Sequence, residues 1–280
     1  MANLLDGREL AKEIKERIKN EVDTLDIKPR IDFLYFEDDK STEVYFTRAK
    51  KQAESVGMIG SLHNLPINTT EKDFITLIEY LNKEKETSAI MIQMPLPNHI
   101  SRKKVYETIS VEKDADAISH INLGRIFIGS SDLAPCTAKS AFALIEKSGI
   151  NIEGSNAVVI GRSEIVGKPL AHLLLQKSAT VTIAHSKTKN LKEICKNADI
   201  LCVSIGKPEF ITGEYIKKDA VVIDIGINVL EDGSLKGDVN FNEASAFASY
   251  ITPVPNGVGS LTVAMLLDNT LYLHKNIINK

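Results

Sequence analysis

Apolar residues return every four positions through Leu10, Ile14, Ile18 and Val22, with Lys and Glu on the opposite face, so the chain opens with an amphipathic helix that Asp6 can cap. After Pro29 the period changes. Ile31-Asp32-Phe33-Leu34-Tyr35-Phe36 predicts a strand and Glu37-Asp38-Asp39-Lys40 a polar turn. Ser41 or Thr42 then caps a second helix, which carries Val44, Tyr45, Arg48, Ala49, Lys50, Lys51, Ala53 and Val56 before Gly57 ends it. Glu71 to Leu81 reads as a helix, and Ala89-Ile90-Met91-Ile92-Gln93 as a strand that stops at Met94-Pro95-Leu96-Pro97. A helix from about Arg102 to Ile109 and a small acidic turn, Lys113-Asp114-Ala115-Asp116-Ala117, come next. Pro135-Cys136-Thr137-Ala138 introduces another amphipathic helix ending at Gly149. From Asn156 strand and helix alternate: Ala157 to Ile160, Val181 to Ala184, a helix over Leu191 to Lys196, Ile200 to Ser204, and Ala220 to Asp224. That alternation is the pattern of a parallel sheet flanked by helices. Thr252-Pro253-Val254-Pro255-Asn256-Gly257-Val258-Gly259-Ser260 is rigid and then flexible, and precedes a last helix from Leu261 to about His274.

The stretch from Ala157 to Leu170 combines a buried strand, a tight turn at Gly161 and a helix start. Such a start offers unpaired N–H groups and the positive end of the helix dipole to a phosphate, and Gly167 lets the backbone approach closely. The spacing from Gly161 to Gly167 is not G-x-G-x-x-G. The next strand ends in His185-Ser186-Lys187-Thr188, where an NAD-binding unit places an acidic residue for the ribose 2′-hydroxyl. Arg162, Ser186 and Lys187 suit a 2′-phosphate, so the residues favour NADP. Solvated surface cations are the alternative reading of Arg162 and Lys187, and the strand-turn-helix context outweighs it.

At 280 residues the chain is long enough for one large domain or two ordinary ones. Charged residues make up 25% and the net charge is -3, which leaves no electrostatic footprint for nucleic acid or an acidic membrane. Three cysteines, Cys136, Cys195 and Cys202, form no framework, and six scattered histidines lack ligand spacing, so neither disulfides nor a metal site is expected. With no signal-like start and no apolar run long enough to span a bilayer, the expectation is a soluble cytoplasmic protein.

Eight stretches in order resemble the methylenetetrahydrofolate dehydrogenase/methenyltetrahydrofolate cyclohydrolase family: Leu4-Leu5-Asp6-Gly7, Val44-Tyr45, Gln93-Met94-Pro95-Leu96-Pro97, Lys113-Asp114-Ala115-Asp116, Pro135-Cys136-Thr137, Gly161-Arg162-Ser163 with Val166-Gly167-Lys168-Pro169, Gly237-Asp238-Val239, and Tyr250 to Pro255 with Gly257-Val258-Gly259. The resemblance implies an α/β protein of two domains: residues 1–120 plus 261–280 binding folate, and 121–260 a Rossmann-type parallel sheet binding NADP. It further implies a folate cleft between them and a homodimer formed through the nucleotide domain. The implied reaction oxidises 5,10-methylenetetrahydrofolate to the methenyl cation, which is hydrolysed to 10-formyltetrahydrofolate. By the same resemblance Tyr45 orients the folate, Gln93 supports the catalytic lysine and Asp116 holds the pterin, with Pro255 and Gly259 also on the substrate side. Thr137, Gly161, Arg162, Ser163, Val166, Gly167, Ser186, Lys187, Gly206 and Ile227 are assigned to the cofactor.

One departure bears on the chemistry. The family's lysine stands one helical turn after the tyrosine, and here that position is Ala49. Lys50 and Lys51 follow, but one residue along a helix turns a side chain by roughly 100°, so Lys50 can substitute only through a local rearrangement. Hydrolysis is therefore expected to be impaired more than oxidation. Around the ligand, Ala117, Ile118 and Ser119 replace Gly-Phe-His, and Asn256 and Ser260 stand where the family has a glycine and a proline. Another two-domain NADP oxidoreductase, or a folate- and NADP-binding protein without turnover, are the competing readings.

Overall fold

The computed structural model describes residues 2–37 and 40–278, so Asp38 and Asp39 of the expected turn, and the side chain of the expected cap Ser41, lie outside the described residues. The chain divides into two compact units, 13–125 with 266–280 and 1–12 with 126–265. It starts with β1 (Asn3–Leu4) and α1 (Gly7–Asp23), where the Asp6 carboxylate accepts from the Arg8 N–H at 2.8 Å.

In the first unit β2 (Arg30–Phe36), β3 (Ile59–Leu65) and β4 (Ala89–Ile92) form a parallel sheet of order β3-β2-β4. Central β2 is buried from Ile31 to Phe36, as a parallel strand covered on both faces must be, and its side chains alternate between the covering helices. Phe33 and Tyr35 meet Phe46 of α2 (Lys40–Ser55), with ring centroids 6.0 and 4.8 Å apart, whereas Phe36 meets Phe74 of α3 (Glu71–Lys83) at 5.1 Å. Thr70 caps α3 by accepting from the Asp73 N–H. After α4 (Arg102–Thr108), residues 113–115 run beside β4: the Ile90 N–H donates to the Lys113 carbonyl at 2.6 Å, and the Ala115 N–H to Ile90 at 3.1 Å. The buried Lys113 ammonium donates to the Leu81 and Glu84 carbonyls and so closes the C-terminal end of α3. Then comes α5 (His120–Phe127).

The second unit contains α6 (Cys136–Lys147), β5 (Asn156–Ile160), α7 (Gly167–Gln176), β6 (Thr180–Ala184), α8 (Leu191–Lys196), β7 (Ile200–Val203) and β8 (Val221–Asp224). A hairpin of β9 (Asn228–Val229) and β10 (Leu235–Lys236), then α9 (Phe241–Ala244) and β11 (Tyr250–Ile251), lead to α10 (Val258–Ile278). Six parallel strands make one sheet of order β1-β11-β8-β7-β5-β6. Residues 1–12, which the sequence places with the first domain, cluster here instead, because β1 pairs with β11 in the register Asn3↔Tyr250 and extends the sheet. Strands β5, β7 and β8 carry almost unbroken apolar runs and are buried, while edge strand β6 leaves Ile183 partly exposed. Cys136, Cys195 and Cys202 form no disulfide and are buried, and burial pushes the Cys195 and Cys202 thiols well above their ordinary pKa. Among the described residues no group of His, Cys, Asp or Glu could hold a metal ion, and no helix is long and apolar enough to cross a membrane.

Candidate active and nucleotide-binding sites

Gln93 and Asp116 lie at the C-terminal ends of β4 and of the stretch beside it, where open α/β sheets bind ligands. Gln93 follows β4 directly and is buried, and its Oε1 accepts from the Phe36 N–H at 2.7 Å, tying the ends of β4 and β2 together. The Met94–Pro95 bond after it is cis. Asp116, half-buried, leaves the end of the stretch that runs beside β4. Its turn is held from several sides. The fully buried Asp114 carboxylate accepts from Ile118 N–H (3.0 Å), Ser119 N–H (2.8 Å) and Asn122 Nδ2 (2.9 Å), and Asn269 of α10 donates to the Ala115 carbonyl at 2.9 Å. Burial pushes the Asp114 carboxyl up against the pull of those donors. Ala117 sits at φ +50°, a conformation that suits the family's glycine better. Sequence reasoning passes over Asp114 and Asn269. The signals for them are slight: a second carboxylate within one motif, and a lone amide in an apolar stretch of helix.

On α2, Tyr45 is 40% exposed, with its ring perpendicular to that of Phe46 at 5.1 Å. The helix is α-helical without interruption from Lys40 to Ser55, so no bulge shifts its register. Phe46, Ala49 and Ala53 form its buried stripe, which Val56 continues just past its end, and Ala49 has no exposed surface. Lys50 points elsewhere. Its stem lies against Gly60 of β3, where an added methyl would come within 2.9 Å of Cγ, and its Nζ is 3.7 Å from the Glu54 carboxylate. Because β2 separates β3 from β4, the Lys50 stem leans two strands, roughly 10 Å, from the strand that Gln93 follows.

In the second unit Gly161 ends β5 at φ +132°, and a methyl there would run into the Ser204 carbonyl after β7. Gly167, the first residue of α7, is pressed against the Gly161 carbonyl, so helix start and strand end touch and the helix N–H groups face the turn. Ser163 braces that turn: its Oγ accepts from the Gly167 N–H at 3.3 Å and its carbonyl from the Lys168 N–H at 3.1 Å. Arg162 and Ser163 are exposed and Val166 is half-buried. Strands β5 and β6 are neighbours in register Ile160↔Ala184, so Arg162 and the exposed Ser186 and Lys187 leave adjacent strand ends. Gly206 (φ +65°) follows β7, and Ile227 follows β8 on the next strand over. Gly259, expected on the substrate side, packs against Ile227: a methyl on it would lie 2.9 Å from Ile227 Cδ1. Thr137 is the second residue of α6, and Pro255 is exposed after a cis bond from Val254. Asn256 takes the family glycine's place at φ +82°.

Two buried carboxylates at these strand ends were not expected. Asp224 accepts from the N–H groups of Gly226, Asp238 and Val239, at 3.1, 3.0 and 2.9 Å. Burial first, then the charge of Asp238, pushes its carboxyl up from 3.8 to about 7 against the pull of those N–H groups. A folded-state pKa above the unfolded one means that the folded protein binds the extra proton across this interval. Asp224 therefore contributes stability that is complete below about pH 4 and lost as pH rises through about 7. Thermal unfolding across that range should show a falling component in the natural protein that is missing in Asp224→Asn. Parallel curves for the two proteins would contradict the assignment.

A parallel sheet with a glycine turn pressed against a helix start, and basic and hydroxyl groups on the neighbouring strand end, defines a nucleotide-binding α/β protein. A second α/β unit carries a tyrosine, an amide and a carboxylate. Residues 135–278 match the NAD(P)-binding domain of the tetrahydrofolate dehydrogenase/cyclohydrolase family and residues 5–116 its catalytic domain; the chain belongs to that family. It is 89% identical over 280 residues, all of both chains, to the bifunctional protein FolD of Brachyspira hyodysenteriae. Among solved structures it is similar to the bifunctional FolD enzyme of Campylobacter jejuni (37% identity, TM-score 0.96, 99% of each chain). A second is Trypanosoma brucei FolD complexed with NADP cofactor and inhibitor, at 36% identity and TM-score 0.94 over 100% of this chain and 99% of that one.

Proposed function

We propose that the protein oxidises 5,10-methylenetetrahydrofolate to 5,10-methenyltetrahydrofolate with NADP, and that its hydrolysis of the product to 10-formyltetrahydrofolate is impaired. The observation that carries this reading is Ala49 on an unbroken helix, one turn beyond Tyr45, in a chain that keeps Tyr45, Gln93 and Asp116. Asp116 accepts hydrogen bonds from the pterin's amino and ring N–H groups, and the Tyr45 ring gives the folate a face to stack on. Gln93, anchored through Phe36, fixes the wall beside them. Pro255, in the loop before α10, and Gly259, in its first turn, are the further residues assigned to the substrate.

The second unit's residues fit the cofactor. Gly161 and Gly167 let the backbone approach a pyrophosphate at the α7 N-terminus, with Ser163 and Val166 shaping the turn. Arg162, Ser186 and Lys187 hold the 2′-phosphate, and Thr137, Gly206 and Ile227 line the remainder. When bound, NADP supplies the acceptor for the hydride that the folate's bridging carbon gives up. Positioning that carbon requires no proton transfer from the protein, whereas water attack on the methenyl carbon does, so the missing lysine weighs on hydrolysis. Arg162→Ala should weaken NADP binding by about 10- to 100-fold and leave NAD nearly unchanged, as expected for loss of a charge-assisted phosphate contact. Equal losses for the two nucleotides, in a titration of each, would refute the 2′-phosphate role.

The working form is a homodimer joined through the nucleotide unit. The open edge of β6 and the exposed Phe127, Ile128 and Leu175 on that unit support this. The net charge of -3 supports the absence of nucleic-acid and membrane partners, and three cysteines without a disulfide framework support a reducing, cytoplasmic compartment. The test is an assay with 5,10-methylenetetrahydrofolate and NADP that follows NADPH and methenyl absorbance separately. NADPH formation with accumulating methenyl product is the expected result, and binding of both ligands without NADPH would leave a binding protein instead.

A further inference from the structure

Gly237-Asp238-Val239 marks the family in the sequence, yet no role in binding follows from it there. In the structure the Asp238 side chain is fully buried and accepts four hydrogen bonds from the described residues, none of them from a cationic group. Oδ2 takes the N–H groups of Ile205 (2.6 Å) and Gly206 (3.0 Å), and Oδ1 takes the Lys207 N–H (2.8 Å) and Asn228 Nδ2 (3.0 Å). Three successive backbone N–H groups converging on one anion make a concavity of the kind that often seats a phosphate. Here the chain's own carboxylate fills it. Gly226 has no room for a side chain because Asp238 occupies the space, and Asp224 holds the Asp238 and Val239 N–H groups from behind. One buried carboxylate thus joins the loop after β7 to the segment after β8.

The strand order shows what those loops face. With Ser186 and Lys187 after β6 taking the adenosine end, a dinucleotide seated on the turn after β5 extends the other way, over β7 and β8. We infer that Asp238 is a positioning residue for the cofactor. It locks the loops bearing Gly206 and Ile227 in the conformation that receives the nicotinamide half, and by filling the 205–207 concavity it leaves the turn after β5 as the seat of the pyrophosphate. This rests on the cofactor reading above.

The test compares the full-length protein with Asp238→Asn, with the milder Asn228→Ala, and with Asp199→Asn. Asp199 accepts from the Asn156 N–H at the opposite strand ends, so its loss loosens the same unit away from the cofactor. Hydrogen exchange of the 205–207 and 226–228 amides and equilibrium NADP titration without folate are read for each. In the natural protein NADP should protect both segments. Asp238→Asn should speed exchange at 205–207 and weaken NADP binding by about 10- to 100-fold, Asn228→Ala by a smaller factor, and Asp199→Asn by less than twofold, as expected where charge-assisted bonds hold a site. Tetrahydrofolate binding should stay within twofold throughout. If Asp238→Asn does not fold, the Asn228→Ala titration and the protection pattern decide. Faster exchange with NADP affinity intact, NADP that protects neither segment, or an equal loss in Asp199→Asn would each overturn the inference while the cofactor reading stands. A natural protein that binds no NADP would overturn both.

Discussion

Ala49→Lys should raise hydrolysis of methenyltetrahydrofolate by about 10²- to 10⁴-fold, the range typical of a restored general acid or base, while NADPH formation changes by only a few-fold. The asymmetry follows from the two reactions. Oxidation needs alignment, but water attack on the methenyl carbon needs a proton handled at the site. A lysine at this position stands one turn from Tyr45 on a helix that is continuous from Lys40 to Ser55. Ala49 is wholly buried on the stripe with Phe46 and Ala53, so the new stem must run along that stripe with its ammonium at the rim. Ala49→Met, with a stem of similar length and no charge, separates the two effects: it should share any loss of thermal stability and gain no hydrolysis. Lys50→Ala completes the set. A loss of hydrolysis there, with no gain from Ala49→Lys, would show that Lys50 leaves Glu54 and Gly60 to carry the proton, and would sink the Ala49 proposal.

Gly161→Ala should abolish NADP binding and destabilise the nucleotide unit by about 3 kcal/mol or more, since a backbone clash and a strained φ act together. The added methyl meets the Ser204 carbonyl, a backbone atom just after buried β7 whose residue is tied to β5 through its N–H to the Ile160 carbonyl, so it cannot rotate away. Gly206→Ala is the informative comparison. Its φ of +65° is also left-handed, but an added methyl meets nothing within 4 Å, so only the conformational cost of about 1 kcal/mol applies. Thermal unfolding of the two variants side by side measures the difference. Equal losses would mean that φ strain alone governs both glycines.

Much of this architecture is written in local pattern. The strands β2, β4 and β5, and the helices α1, α3 and α6, announce themselves because each carries one period over its length and ends in a cap, a proline or a glycine. Edge strand β3 does not: Ile59-Gly60-Ser61-Leu62-His63-Asn64-Leu65 has neither a β-branched run nor strict alternation, and its pairing with β2 supplies the order. The two-residue strands β1 and β11 exist only as partners of each other and of β8, which is why the first residues join the nucleotide unit. Within the sites, Gln93 is legible as the residue at a strand terminus, and Arg162 as the first side chain after a glycine turn. Asp114 and Asp238 are not, because their meaning lies in the donors they collect. For Asp238 those donors are 10 to 33 residues away along the chain.

All three cysteines fall in the nucleotide unit and none in the other. Each is buried, with Cys195 and Cys202 packed beside or within the sheet as un-ionised thiols. A thiol reagent therefore reports each opening of that half of the molecule and is blind to the rest. The chain carries a clock for the breathing of its cofactor half, readable without any added label.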